Sequence, residues 1–228
     1  MSVGPDPVSA LRAARDRIDR KSVWSRVATE LRRQIDDGQL PPGMRLGEES
    51  IADALGVSRN TVREAFTELA GERLVERIPN RGVFVRSPSR EDVIDVYRMR
   101  RIIECGALVE GGDAATVKAM RLAVEQGRRA VAKNDRRAIL SANLRFHQAI
   151  VAMGRCSRLN QQVGILLAET RLFLHAAADE DSYLERFLDR NDEICTLVES
   201  GRYDEAATAL KDYLVEAEAD LLRFVGDA

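Results

Sequence analysis

The chain has little of several things, and each scarcity closes off a class of function. It carries two histidines, His147 and His175, so a three-histidine metal site cannot be built from it. Its three cysteines, Cys105, Cys156 and Cys195, are odd in number, widely spaced and without a CxxC. Reduced thiols in a cytoplasmic protein are the simple account; a strained redox-sensing pair is the alternative. No stretch approaches the ~18 apolar residues of a membrane span, and the opening MSVGPDPVSALRAARDR lacks the apolar core of a secretory signal. Net charge is also small, -2 over 228 residues. That figure conceals a division. Residues 1–90 carry 16 Lys and Arg against 13 Asp and Glu, whereas residues 91–228 carry 19 against 24. The length suggests two domains, 45% hydrophobic residues suffice for a core, and the basic excess lies in the first domain, as phosphate binding demands.

What is present concentrates in residues 46–66, LGEESIADALGVSRNTVREAF. Leu46, Ile51 and Leu55 are spaced to pin a first helix to a core, Gly56 allows a sharp turn, and Val57 plugs it. Ser58 is a helix N-cap, free to accept from backbone N–H groups of the next turn. Val62, Ala65, Phe66 and Leu69 then keep a buried helical period, which turns Arg59, Asn60, Thr61 and Arg63 outward near the helix start. Arginine can meet guanine O6 and N7 bidentately or hold phosphate; Thr and Asn can bond base edges or backbone. The pattern is that of a helix-turn-helix; an ordinary helical hairpin with a polar outer face is the plainer alternative.

The flanks complete a module. Ser22 or Ser25 caps a helix marked by Val23, Val27, Leu31 and Ile35 and ended by Gly38. Pro41-Pro42-Gly43 turns into Met44-Arg45-Leu46, long enough for one short strand. Leu74 to Ile78 and Val83 to Val85 alternate like paired strands around the turn Pro79-Asn80-Arg81-Gly82. Three helices and a hairpin make a winged helix, with Arg81 and Gly82 at the wing tip, suited to a DNA minor groove. Ahead of it, Arg12, Arg15, Arg17, Arg20 and Lys21 form a basic extension over residues 1–21; the winged domain is expected over 22–88.

Beyond Pro88 the pattern is helical throughout. Ser89 with Asp92 reads as a helix start. Val93, Val96, Tyr97, Ile102, Ile103 and Leu108 mark a long helix, and segments near 113–133, 135–153, 157–177, 181–200 and 203–225 repeat at three and four. The expected fold is therefore mainly α: a winged helix-turn-helix, then an all-α antiparallel bundle over 89–228, with AAADEDS near 175–190 deciding between six and seven helices. Asn143 and His147, four apart, leave one face of a helix.

PGMRL, ADALGVSRNTVREAF with the following Leu69, and RGVFV resemble the N-terminal domain of GntR-type bacterial transcription regulators over residues 22–86. The resemblance places Arg45, Arg59, Thr61, Arg63 and Gly82 at DNA-contacting positions; the chain has Asn60-Thr61 where the family usually has Thr-Pro. NLRFHQAI and RNDEICTLVESGRYDEAATALKDYL resemble the FCD effector domain of the FadR-type branch. Its usual Asp and three His metal ligands fall here on Asn143, His147, Asn191 and Tyr213. Three of the four have changed, which leaves at most a weakly held divalent ion on His147 and Asn143. Asn, His, Asn and Tyr can still hold a ligand by hydrogen bonds. The resemblance places Arg100 near that ligand, able to pair with a carboxylate; an ion pair with Glu104 one turn on is the alternative, and Arg171 is a further candidate. The resemblance thus implies a cytoplasmic homodimer, not an enzyme, that binds palindromic double-stranded operator DNA, more often as a repressor, and answers to a small organic acid. The competing readings are an effector-independent DNA-binding protein, and an enzyme that would need a nucleophile–base pair or a competent metal site in the bundle.

Overall fold

The structure, a computed structural model, describes residues 23–176 and 183–225. Its contacts divide the chain between Arg86 and Ser87. The basic extension over residues 1–21 and the Ser22 cap lie outside the described residues, and so does the loop-or-helix question over 177–182.

In the first unit, α1 (residues 23–36) buries Val27, Ala28, Leu31 and Ile35 along one stripe. Val23, expected in that stripe, is exposed at its end. After Gly38 (φ 71°) the chain enters β1 (Arg45–Leu46), α2 (Glu48–Leu55) and α3 (Arg59–Gly71). Then come β2 (Val75–Ile78) and β3 (Gly82–Val85). Gly56, at φ 63°, closes α2 through N–H bonds to Ala52 and Asp53, a left-handed conformation that suits glycine and turns the chain within two residues into Ser58. The expected hairpin is one part of a three-stranded antiparallel sheet in the order β1-β3-β2, because Arg45 pairs with Phe84 and Leu46 with Val83. The core on α3 is the expected one: Val62, Ala65, Phe66 and Leu69 are buried. On α2 it differs. Ala52 is the buried residue, Ile51 is half-buried and Leu55 is exposed, since an eight-residue helix reaches the core through a single turn. Arg32 on α1 ties down the far end of α3, donating to Glu72 at 2.6 and 2.7 Å and to Glu68 at 3.3 Å.

The second unit is an antiparallel bundle whose described helices are α4 (Arg90–Glu110), α5 (Ala114–Val131), α6 (Arg136–Met153), α7 (Ser157–Ala176), α8 (Tyr183–Glu199) and α9 (Tyr203–Leu221). Ser89 and Asp92 form the reciprocal capping box read from their spacing: Ser89 Oγ accepts from the Asp92 N–H at 3.2 Å, and the Ser89 N–H donates to Asp92 at 3.0 Å. The division between Arg86 and Ser87 leaves Ser87 and Pro88 leading into this cap. Asp113 and Asp135 cap α5 and α6 in one direction only, their side chains accepting from the Thr116 and Ala138 N–H groups. Gly154 is the C-cap that ends α6, and the left-handed residue follows it at Arg155 (φ 48°). Packing is densest between α5 and α6 and between α4 and α9. Among the described residues no helix is long and apolar enough to cross a membrane.

Candidate functional site

Two groups of polar side chains stand out, one exposed on the winged unit and one buried in the bundle. On the first, Ser58 Oγ accepts from the Thr61 N–H at 3.1 Å and lies 2.8 Å from the Thr61 hydroxyl. This fixes the first turn of α3 and half-buries Thr61. Arg59, Asn60 and Arg63 project from that turn, exposed as their spacing required. None of the three extends freely. Arg59 Nη2 donates to Glu49, Arg63 Nε donates to Glu48 Oε2 at 2.6 Å, and Asn60 donates to Glu64 at 3.2 Å. Neither Glu48 nor Glu49 was anticipated; the signal was a pair of acids opening a short helix directly before a basic one.

The wing brings Arg45, Arg81 and Gly82 together. Gly82 sits at φ 111°, and a Cβ there would lie 3.3 Å from Arg45 Nε. Asn80 takes the other left-handed position of the turn (φ 61°), closed by Arg81 N–H to Ile78 O at 3.1 Å. The Arg81 guanidinium stands 5.7 Å from the centre of the Phe84 ring, so its cation is held on the sheet face. Strand pairing thus joins Arg45, far away in sequence, to the tip, where its guanidinium lies against Gly82.

Inside the bundle, four helices send polar groups to one place. Arg100 Nε donates to Glu104 Oε1 at 2.7 Å within α4, and both are almost wholly buried at 2% and 0% exposure. The other Glu104 oxygen lies 2.7 Å from His147 Nδ1 on α6. His147 Nε2 lies 3.0 Å from the Tyr213 hydroxyl on α9, and that hydroxyl is 3.4 Å from Asn143 Oδ1. Asn191 on α8 donates to the same Asn143 oxygen at 2.8 Å. Tyr213 stacks on the His147 ring at 5.3 Å, and Tyr97 lies 4.9 Å under the Arg100 guanidinium. Four helices therefore close one relay: Arg100, Glu104, His147, Tyr213, Asn143, Asn191.

Charge states follow from this geometry. Burial works to raise the Glu104 carboxyl, but Arg100 first and then His147 outweigh it and hold it below the usual carboxylate range. Burial pushes the His147 imidazolium down from its ordinary 6.5, against the opposing pull of Glu104. An ionised carboxylate can only accept, so neutral His147 carries its proton on Nδ1 and offers the Nε2 lone pair to the Tyr213 O–H. Burial raises the Tyr213 phenol, which keeps that proton in place. One cation and one anion sum to zero. Two buried atoms are left over: Arg100 Nη2, a donor, and Asn191 Oδ1, an acceptor, have no hydrogen-bond partner. Orphans of this kind cost about 1–3 kcal/mol each unless something meets them.

Even a weakly held divalent ion on His147 and Asn143 does not fit these residues. Both imidazole nitrogens are engaged, Asn143 Oδ1 already accepts a strong hydrogen bond, and the Arg100 charge repels a cation beside Glu104. No group of three His, Cys, Asp or Glu gathers as ligands among the described residues. Of the two readings of Arg100, the ion pair with Glu104 is the one observed, and it still leaves Nη2 pointing at no partner. Arg171 is half-buried on α7, and the His175 side chain lies outside the described residues. Glu104 is the residue the site adds. Its signal was present in the sequence: Tyr97, Arg100, Glu104 and Leu108 continue one buried stripe of α4, where two charges survive only if paired. Cys105 and Cys156 are half-buried and Cys195 buried, all unpaired, with burial pushing the Cys195 thiol up to about 12.

Comparison with known proteins gives the same division. Residues 24–85 match the family of bacterial regulatory proteins called gntR, and residues 95–216 match the FCD domain. A relative from Paenarthrobacter nicotinovorans, named "Probable D-xylose utilization operon transcriptional repressor", is 28% identical over 89% of this chain and 90% of its own. One from Streptomyces ambofaciens, named "Uncharacterized HTH-type transcriptional regulator in unstable DNA locus", is 31% identical over 85% of this chain and 83% of its own. A solved transcriptional regulator GntR from Rhodococcus sp. RHA1 superposes with a TM-score of 0.84 at 38% identity, covering 89% of this chain and 98% of that one.

Proposed function

The chain belongs to the GntR family of DNA-binding transcription regulators and carries its FCD domain, and from that premise we propose that it is a ligand-controlled repressor acting in the cytoplasm. As a homodimer it presents two α3 helices to successive major grooves of a palindromic operator. Arg59, Asn60, Thr61 and Arg63 face the bases, while Arg45, Arg81 and Gly82 follow the adjacent backbone or minor groove. Relatives named as repressors support the sign of regulation.

The observation that carries the control site is the pair of orphaned atoms, Arg100 Nη2 and Asn191 Oδ1, on an otherwise satisfied buried relay. A small hydroxy acid supplies what both lack, a carboxylate oxygen for the arginine and a hydroxyl proton for the amide. Asn143, His147 and Tyr213 complete the polar wall, and Arg171 is a further candidate. No metal takes part. The relay sums to zero charge, so a carboxylate adds an uncompensated negative charge next to Glu104. Protonation of His147 restores the balance, and binding therefore takes up a proton. Effector binding shifts operator affinity only by its preference for one state of the protein, typically five- to 150-fold.

The test is selection of genomic fragments by the purified protein, followed by footprinting with and without a panel of hydroxy acids. A salt-sensitive palindromic site, released by one acid more readily below neutral pH than above it, is the expected result. Equal affinity for selected and random duplex would overturn the reading of α3. A selected site indifferent to every acid, with Arg100→Ala also without effect, would favour an effector-independent DNA-binding protein.

A further inference from the structure

We propose that Glu48 and Glu49, the first two residues of α2, are specificity-determining partners of the recognition arginines. The proposal rests on the DNA-facing reading of α3 and goes beyond it, because neither glutamate belongs to the contact set. Acids in the first turn of a helix are favoured by its dipole wherever they point. These two point across the turn to the neighbouring helix, each onto one arginine: Glu48 onto Arg63 at 2.6 Å and Glu49 onto Arg59. The tight turn at Gly56 brings the two N-terminal turns within reach of each other.

The two contacts act differently. Glu48 takes the Nε of Arg63, which leaves the Nη1 and Nη2 end free. That end is one that can meet guanine O6 and N7 together, so the carboxylate aims the guanidinium without blocking it. Glu48 is the better shielded acid, with its side chain 28% exposed against 68% for Glu49. Its contact can persist when DNA binds. Glu49 instead holds Nη2, a terminal donor of Arg59, in an exposed pair weak enough to exchange. Arg59 leaves it only for a better-placed acceptor.

Together the acids discriminate between two kinds of DNA binding. Attraction to phosphates is indifferent to sequence and scales with the net positive charge offered. A carboxylate beside each arginine removes most of that charge. A bidentate contact to a base edge depends on direction, and it survives because the donors remain and are aimed. Specific binding is thus kept while non-specific binding is suppressed, a device of negative as much as positive selection.

Titration of each variant with the duplex that wild-type protein selects from a randomised pool, and with a scrambled duplex, across a salt series tests this. Glu49→Gln is expected to tighten the scrambled duplex about fivefold near 0.15 M salt and to steepen its salt slope by about one. The selected duplex gains less, so the ratio of affinities falls. Glu48→Gln lowers the ratio by weakening the selected duplex. Glu48→Asp, which keeps the charge but is too short to reach Arg63, has the same effect. In an Arg63→Ala background Glu48→Gln changes the ratio no further, as coupled residues require. Asp53→Asn, exposed on the same helix, serves as a charge control and moves both affinities together. Ratios unchanged in Glu48→Gln and Glu49→Gln, or a Glu48→Gln effect that persists without Arg63, would overturn the proposal. A wild-type protein that selects no sequence would instead remove the DNA-facing reading beneath it.

Discussion

His147 is the residue on which the buried relay turns, and its protonation gives the relay a measurable pH dependence. Burial holds its folded pKa below the ordinary 6.5. Below that value the unfolded chain binds a proton that the native protein refuses, so this contribution to stability is complete above about pH 6.5 and declines as pH falls toward the folded pKa. Denaturant midpoints measured from about pH 7 to pH 5 should fall in wild type and fall less in His147→Gln; parallel curves would mean that His147 is not held neutral. Glu104, also depressed by Arg100 and His147, adds a further loss where carboxylates protonate, as pH drops below its ordinary 4.5 toward its folded value. Removing that charge outright is harsher. Glu104→Gln leaves the Arg100 guanidinium buried without its counter-ion and should cost about 3–5 kcal/mol. Replacing both, as in Arg100→Met with Glu104→Leu, should restore most of the loss. Chemical denaturation of the two variants checks both outcomes.

Among the elements, α3 and the wing are the ones to which the reading function is assigned, and each depends on one local device. Ser58 satisfies the Thr61 N–H in the opening turn of α3, and Ser58→Ala should cost about 1 kcal/mol and weaken DNA binding by more than stability alone, because Arg59 and Thr61 sit in the turn it caps. At the wing, Gly82→Ala places a Cβ at φ 111° against Arg45. A loss of about 1–3 kcal/mol is expected, together with weaker operator binding that Arg45→Ala does not deepen; thermal melting and DNA titration of the single and double variants measure both. These elements were legible in the sequence because they obey local rules: caps at Ser58 and Ser89, the left-handed glycines Gly56 and Gly82, and the period that buries Val62, Ala65, Phe66 and Leu69. What was not legible depends on partners distant in sequence. Arg45 reaches Gly82 only through the β1–β3 ladder, and Glu104 meets His147 only once α4 packs on α6. Ile102, one of the apolar residues that mark α4 in the sequence, is exposed, because the buried stripe runs through Tyr97, Arg100, Glu104 and Leu108. The candidate set Arg100, Asn143, His147, Asn191 and Tyr213 does converge on one place, where Arg100 is paired with Glu104 and both His147 ring nitrogens have hydrogen-bond partners.

For the whole molecule, family membership joins a DNA-reading unit to an FCD bundle, and the account assigns control to a ligand held directly by the relay. Two rival accounts differ from it in stoichiometry rather than in fold: a bundle that holds a divalent ion, and a bundle that holds nothing. Native mass spectrometry of protein purified without chelator from its own host separates them in one spectrum. The account predicts a dimer that carries an organic acid adduct, contains no divalent ion, and loses the adduct in Arg100→Ala and Asn191→Ala while remaining dimeric. A dimer with one divalent ion per subunit, lost on His147→Ala, would contradict it, and the bundle would then have to open the Tyr213–His147 bond to admit the metal.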